Sequence, residues 1–182
     1  MSTKNKIINA FGSAKARYPE LKKTNIELKI LKKSFIRNTM YTYLKLTSLI
    51  NKRRKYFIFV NNGKRKNFIS ELSKFQLTGW FGHELGHILE YEKMSNFELV
   101  KFALKYFLSS KYKSNVEKKI NLLAFKQGFA KVLIEAAKVF YSSKSVDKKY
   151  KDYIRKHYWP QWRSVAKYAE KQGINKKLFL KT

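Results

Sequence analysis

The sequence predicts an α+β fold, in which a small antiparallel sheet in the N-terminal third precedes a mostly helical remainder. The β-type runs, which alternate apolar and polar side chains or are rich in Tyr, Thr and Phe, all lie before residue 61. After Ser70 the apolar residues recur at helical spacing, and no run predicts a strand. A chain of 182 residues is long enough to bury a hydrophobic core, so we expect one domain, residues 1–182.

The N-terminal third is predicted to contain one helix and three strands. A weak helical pattern runs from Ile7 to Tyr18 and ends at Pro19. The predicted strands are Asn25 to Leu31, Thr39 to Thr47 and Lys55 to Val60, the last closed by Asn61-Asn62-Gly63. The polar turn at residues 51–54 joins the second and third strands by a short connection, so these two are expected to form an antiparallel hairpin.

The rest of the chain is predicted to form helices separated by polar breaks. The predicted helices are Glu71 to Met94, one capped by Asn96, Asn115 to Phe140 with Gly128 as a candidate break, and a final pair, Asp147 to Trp159 and Gln161 to Gln172, bent at Pro160. The breaks are Ser109 to Ser114 and Ser142 to Ser145. Gly79 and Gly82 each cost a helix about 1 kcal/mol relative to Ala, which indicates a late helix start near Leu77 or close packing beside a metal.

The segment around His83, Glu84 and His87 carries the strongest chemical signal. A spacing of four residues places both imidazoles on one face of a helix, one turn apart, where they can hold a divalent metal. Glu84 projects beside that metal and can take a proton from a water molecule there. The chain has only 3 histidines, and two of them lie in this pattern.

The motif from His83 to His87, with the sequence His-Glu-Leu-Gly-His, resembles the active-site helix of the zincin metallopeptidases. Its residue sequence is similar to that of the small ImmA/IrrE-type members. Glu90 and Lys93 stand where a metzincin has a glycine and a third histidine, so the gluzincin pattern is the one left open. The resemblance implies a minimal zincin-like fold, a zinc ion, and hydrolysis of a protein or peptide substrate with Glu84 as general base. It also implies that the strand before the active-site helix, here Lys55–Val60, borders the cleft.

A catalytic zinc normally has three protein ligands, and Glu117 is the favoured third ligand. It shares a helical face with Asn121, Ala124 and Gly128, whose small size lets that helix approach the motif helix closely. Asn121 is placed to hydrogen-bond a ligating histidine, although a gluzincin more often has an aspartate there. The alternative ligands are Glu90, Glu92, Glu98, Asp147 and Asp152.

Peptidases of this type often use a Tyr or His from another element to stabilise the transition-state oxygen. His157 is the candidate for this role, since it is the one histidine outside the motif, and Tyr153 and Tyr158 lie next to it. Packing and surface exposure are the ordinary roles of aromatic residues in such a helix.

The formal net charge of +29 predicts salt-sensitive, non-specific binding to nucleic acid, or contact with another anionic partner. Because lysine far outnumbers arginine and is scattered along the chain, a solvated basic surface without a specific role is the main alternative. A second hypothesis is therefore a basic nucleic-acid-binding protein with a structural or vestigial zinc site. Its contact surface would be the aromatic and basic segments Tyr106–Lys113 and Lys148–Arg163.

Two further features of the sequence bear on where the protein acts. The absence of cysteine fits a reducing compartment. Lys4 and Lys6 precede only the short apolar pair Ile7-Ile8, and no run reaches the ~18 apolar residues of a membrane span. We therefore expect a cytoplasmic protein without a membrane span.

Overall fold

The computed structural model describes residues 2–32, 38–49, 53–63 and 68–157, together with residues 167, 170, 171 and 173. The α+β prediction is confirmed, because a small N-terminal sheet precedes a mostly helical remainder. The described strands are β1 (Asn25–Leu31), β2 (Met40–Leu44) and β3 (Lys55–Asn61). The described helices are α1 (Thr3–Lys15), α2 (Phe68–Glu71), α3 (Lys74–Glu92), α4 (Asn96–Leu108), α5 (Ser110–Ala124), α6 (Ala130–Ser142) and α7 (Lys148–His157).

The sheet has the strand order β1-β3-β2, so the last strand in the chain lies in the middle. β2 and β3 are antiparallel, which confirms the predicted hairpin, and Tyr41 lies opposite Phe59. β1 is parallel to β3, so the sheet is mixed and not purely antiparallel as expected. The predicted strand Thr39 to Thr47 is shorter in the structure, since a 3₁₀ turn occupies Leu46–Leu49.

The two faces of the sheet have different environments because successive side chains of a strand point to opposite sides. Tyr56, Ile58 and Val60 of β3 are fully buried and join one hydrophobic cluster with the helices. Phe57 and Phe59 point to the other side and are only partly buried. The helices therefore cover one face of the sheet, and the core lies between that face and α3.

α3 is the central helix of the core. A capping box between Ser73 and Gln76 starts it at Lys74, so the late start near Leu77 is wrong. α1, α5 and α6 pack around it together with β2. A Cβ atom on Gly82 would lie 2.6 Å from the ring of Phe129, and one on Gly79 would lie 2.8 Å from Val132. The glycines therefore permit close approach of the following segments, as the second explanation from the sequence expected, whereas the metal in that explanation stays a prediction.

The predicted long helix Asn115 to Phe140 is interrupted. α5 ends at Ala124, a π-helical turn covers Phe125–Phe129, and α6 follows. Gly128 has a φ of 81°, a left-handed conformation that glycine adopts without steric cost. Gly128 therefore ends the shared face that the sequence predicted for Glu117 and Asn121, and it turns the chain from α5 into α6.

Two helix boundaries differ from the prediction. Ser95, not Asn96, is the N-cap of α4, because its hydroxyl accepts the hydrogen bond from the Glu98 N–H. The expected break from Ser109 to Ser114 is a single residue, since Ser109 ends α4 and caps α5. The predicted helix Gln161 to Gln172 and its bend at Pro160 lie mostly outside the described residues. In the described part of the chain, no helix combines the length and the apolar character that crossing a membrane requires.

Candidate metal centre

α3 carries His83 and His87 on the face that meets α5. Both side chains are buried, and their ring centroids lie 4.9 Å apart with the rings nearly perpendicular. The four-residue spacing on a regular helix produces this arrangement. Two imidazoles thus face a common point inside the protein.

Glu117 of α5 supplies a carboxylate at that point. Its Oε2 lies 3.1 Å from Nε2 of His83 and 3.6 Å from Nε2 of His87. Glu117 is only 3% exposed, so it is not an ordinary surface glutamate. Among the described residues, His83, His87 and Glu117 are the group whose donor atoms are close enough to hold a metal, all within 4.8 Å of one another.

Two of the three separations between these donors are compatible with a zinc ion. Three tetrahedral ligands at about 2.0–2.1 Å from one zinc lie about 3.3 Å from each other. The two distances from the carboxylate, 3.1 and 3.6 Å, fall on either side of that value. The set of two imidazoles and one carboxylate is also a common composition of catalytic zinc sites. The role of these three residues as ligands stays a prediction.

Two neighbours hold the donors in position. The predicted contact of Asn121 is present, since its Oδ1 lies 2.8 Å from Nδ1 of His83. With Nδ1 donating to this oxygen, Nε2 of His83 keeps a lone pair for a metal. The hydroxyl of Tyr106 donates to Oε1 of Glu117, which leaves Oε2 directed at the histidines. Each of these two hydrogen bonds holds a side chain through the atom that does not serve as the candidate metal donor.

His87 is held differently from His83. Its Nδ1 is buried and has no hydrogen-bond partner within the described residues. The ring instead packs against Tyr91, one turn further along α3, at a centroid distance of 5.9 Å. Packing positions the His87 ring, whereas a hydrogen bond sets the tautomer of His83.

The electrostatics of the group favour a positive charge beside the Glu117 carboxylate. Burial alone would raise the pKa of Glu117, but His87 and His83 hold it well below its usual range. Burial alone would lower the pKa of His83, but the neighbouring Glu117 raises it. A buried carboxylate thus requires a cation next to it, and a divalent metal meets the same requirement as a proton on the imidazoles.

Glu84 lies beside the candidate donor group without belonging to it. Its side chain is 8% exposed, and its Oε2 accepts a hydrogen bond of 2.8 Å from the hydroxyl of Thr42 on β2. The same hydroxyl lies 3.1 Å from the backbone carbonyl of Glu84. Thr42 therefore ties the edge of the sheet to the motif and limits the directions in which the carboxylate can point.

The donors and Glu84 line a cleft of about 440 Å³, a size typical of ligand sites. One wall is β2 with the residues before it, from Asn38 to Tyr43. The expectation that Lys55–Val60 borders the cleft is wrong, because β3 is the central strand and β2 separates it from the opening. The opposite wall includes Tyr91, Tyr106 and Phe107.

The other acidic candidates are engaged elsewhere. Glu90 forms ion pairs with Lys93 and Lys119, and Glu92 accepts a hydrogen bond from Tyr56. The remaining three are Glu98, which caps α4, Asp147, which accepts from the N–H of Tyr150, and Asp152, which pairs with Arg155. None of these five carboxylates belongs to the described group of donor atoms that lie within 4.8 Å of one another, so Glu117 is the acidic member of that group.

Of the candidates for stabilising the transition-state oxygen, only Tyr153 has a described side chain. α7 ends at His157, but the side chain of His157 and all of Tyr158 lie outside the described residues. Tyr153 is 43% exposed and does not line the cleft. Of the contact surface named in the second hypothesis, Tyr106 is bonded to Glu117, and residues 158–163 lie outside the described residues.

Sequence reasoning missed three residues of the site: Thr42, Tyr91 and Tyr106. Tyr91 had a detectable signal, since it continues the spacing of four residues from His83 through His87. Thr42 and Tyr106 had none, because each reaches the site through tertiary packing. No family model, curated protein or solved structure matches this chain. The interpretation of the site therefore depends on its own geometry and on the motif.

Proposed function

We propose that this chain is a zinc-dependent peptidase. The observation that carries the proposal is the convergence of two imidazoles and one buried carboxylate at the wall of a cleft, beside a second carboxylate, that of Glu84, outside the donor group. His83, His87 and Glu117 would hold the ion. When bound, zinc polarises a carbonyl group and lowers the pKa of a water molecule to about 7.

Glu84 is the proposed general base. Its carboxylate accepts the proton of the attacking water and then delivers it to the leaving amine. The hydrogen bond from Thr42 keeps one carboxylate oxygen engaged, so the other is free to exchange the proton. A role in proton transfer, and not in metal binding, is consistent with the position of Glu84, which is buried next to His83 but lies outside the donor group.

The proposed substrate is an extended peptide lying along β2. Among the described strands β2 pairs only with β3, so its second edge is open towards the cleft. An exposed edge offers backbone N–H and C=O groups to another extended chain. Such backbone pairing would place a scissile bond beside Glu84. It would not require particular side chains in the peptide.

The experiment that tests the proposal combines metal analysis with cleavage. The purified chain is expected to contain about one zinc, and His87→Ala to lose it. Glu84→Gln keeps the size and polarity of the side chain but removes the base, so it should retain zinc and lose about 10²–10⁴-fold in cleavage. Substrates can be found by mapping new peptide termini after incubation with a cell extract.

Glu92→Gln is the matched control, because Glu92 is also a carboxylate of α3 but lies outside the donor group. It should leave zinc content and cleavage unchanged. Equal zinc in the wild type and His87→Ala would contradict the metal site. Undiminished cleavage in Glu84→Gln would contradict the mechanism, even if the metal is present.

A further inference from the structure

One face of α4 is apolar and exposed to solvent. It carries Phe97, Val100, Leu104, Phe107 and Leu108, which we call the α4 stripe, with exposed fractions of 77%, 51%, 58%, 83% and 83%. Single exposed apolar residues are common, but five neighbours on one helix form a contiguous patch. Such a patch usually indicates a surface that meets a partner or a membrane.

The α4 stripe cannot turn inward, because the opposite face of α4 is already packed against the rest of the protein. Leu99 is buried, and Phe102 packs on Tyr91 and Tyr106 with centroid distances of 5.4 and 5.7 Å. Tyr106 is also bonded to Glu117. Rotation of α4 would break these contacts beside the metal centre, so the outer face stays outside.

The surroundings of the α4 stripe are strongly basic. Lys101 and Lys105 are exposed on its flank, and Lys111 follows at the start of α5. The one acidic residue of α4, Glu98, is engaged in the capping box with Ser95. The apolar patch therefore lies within a positive surface, on a chain whose formal net charge is +29.

The positive charge and the apolar side chains of the α4 surface indicate which kind of partner would bind it. A second copy of the chain would bring two strongly positive surfaces together, which opposes association. Nucleic acid would neutralise the lysines, and Phe97 and Phe107 could stack on bases, but it offers no apolar environment for Val100, Leu104 and Leu108. An anionic bilayer meets both requirements at once, because its acyl chains accept the apolar side chains and its headgroups attract the lysines.

We propose that the α4 stripe binds an anionic lipid surface, with α4 lying in the plane of the interface. Phe107 belongs both to the stripe and to the wall of the cleft. Docking through α4 consequently brings one side of the cleft opening to the bilayer surface. The inference is independent of the peptidase proposal, since it uses only the exposure and charge of α4.

The test measures co-sedimentation of the full chain with vesicles of phosphatidylcholine alone, or of phosphatidylcholine mixed with phosphatidylglycerol. Binding should need the anionic lipid and should persist at physiological salt, where contacts between exposed charges are screened over about 8 Å. The variant Phe97→Ser/Leu104→Ser/Leu108→Ser should weaken this binding by about tenfold or more. Phe107 is left intact so that the cleft is unchanged.

The control variant Ile8→Ser/Leu46→Ser/Phe75→Ser removes three apolar side chains that are 45%, 63% and 53% exposed outside α4. It should bind vesicles like the wild type. Thermal unfolding of both variants checks that they fold. Equal binding by the α4 variant and the wild type, or binding that salt abolishes completely, would show that charge alone is responsible and would overturn the proposal.

A single substitution gives a direct measure of insertion. Leu104→Trp should show a blue-shifted emission and quenching by brominated acyl chains, whereas Leu46→Trp, with a similar exposed fraction, should show neither. Failure of Leu104→Trp to respond overturns the proposal. A dimer in sedimentation that the α4 variant dissolves would identify the stripe as a contact between copies, and stripe-dependent binding to DNA would identify nucleic acid; either result also overturns it.

Discussion

α3 and α4 are neighbouring helices that begin in the same way and end in opposite environments. Each starts with a serine N-cap and a capping box, Ser73 with Gln76 and Ser95 with Glu98. From Leu77 to Glu90 almost every residue of α3 is buried, including charged ones, whereas Leu99 is the one residue of α4 that is fully buried. Both helices are rich in apolar side chains, so apolar content alone does not decide which helix enters the core.

The two helices differ in their glycine content, which affects how closely other elements can pack against them. α3 has Gly79, Gly82 and Gly86, and neighbouring helices contact it at each of these positions. α4 has no glycine, and its large side chains point in all directions around the helix. A helix with small residues on several faces can be surrounded, whereas a helix with bulky residues on every face is covered only where a matching surface exists.

The comparison is tested most strongly by the same substitution in both helices. Leu85→Ala should lower the free energy of unfolding by about 2–5 kcal/mol, because Leu85 is fully buried and its removal leaves a cavity. Leu104→Ala should change it by less than about 0.5 kcal/mol, since that side chain is 58% exposed. Urea denaturation of the metal-free proteins measures both values. A large cost for Leu104→Ala would mean that α4 is covered in solution.

A second pair of substitutions tests the role of glycine. Gly82→Ala should destabilise the protein by about 1–3 kcal/mol, because its Cβ would lie 2.6 Å from Phe129 and overpack the helix contact. Gly12→Ala on α1 should stabilise it by up to about 1 kcal/mol, since nothing lies within 4 Å of that Cβ and alanine favours a helix. Thermal melts of the two variants, measured together, should therefore shift in opposite directions.

The smallest expected effects come from the two caps. Ser73→Ala and Ser95→Ala each remove a hydrogen bond to a backbone N–H and should cost about 1 kcal/mol locally. Because α3 lies in the core, Ser73→Ala should lower global stability, whereas Ser95→Ala should mainly speed amide exchange in the first turn of α4. Equal changes in global stability would contradict this distinction.

The fold could be predicted where the pattern is local. Alternating residues predicted β1, a run of β-type residues predicted β3, and the short connection predicted the β2–β3 hairpin, because these are local properties of the sequence. The parallel pairing of β1 with β3 could not be predicted, since it depends on which edge β1 meets after a long crossover. That single choice made β3 the central strand and moved the border of the cleft to β2.

The site shows the same limit. His83 and His87 are positioned by one turn of one helix, and Glu117 with Asn121 by one turn of another, so both pairs could be recognised. Thr42 and Tyr106 contact the site across elements whose relative placement no spacing encodes. The left-handed Gly128 also escaped full prediction, because only its φ value distinguishes a turn between helices from a glycine within one.

The placement of β3 in the middle of the sheet implies an order of folding. Residues 45–54 must close to pair β3 with β2, but residues 32–54 separate β3 from β1, and the longer closure costs about 0.7 kcal/mol more. We expect the hairpin to assemble first and β1 to be added afterwards. Two adjacent amides report on this order, since the N–H of Asn61 bonds to Thr39 beside β2 and that of Asn62 bonds to Leu31 of β1, each at 2.9 Å. In pulse-labelled refolding, Asn61 should acquire protection from exchange before Asn62; the reverse order would mean that the parallel pair nucleates the sheet.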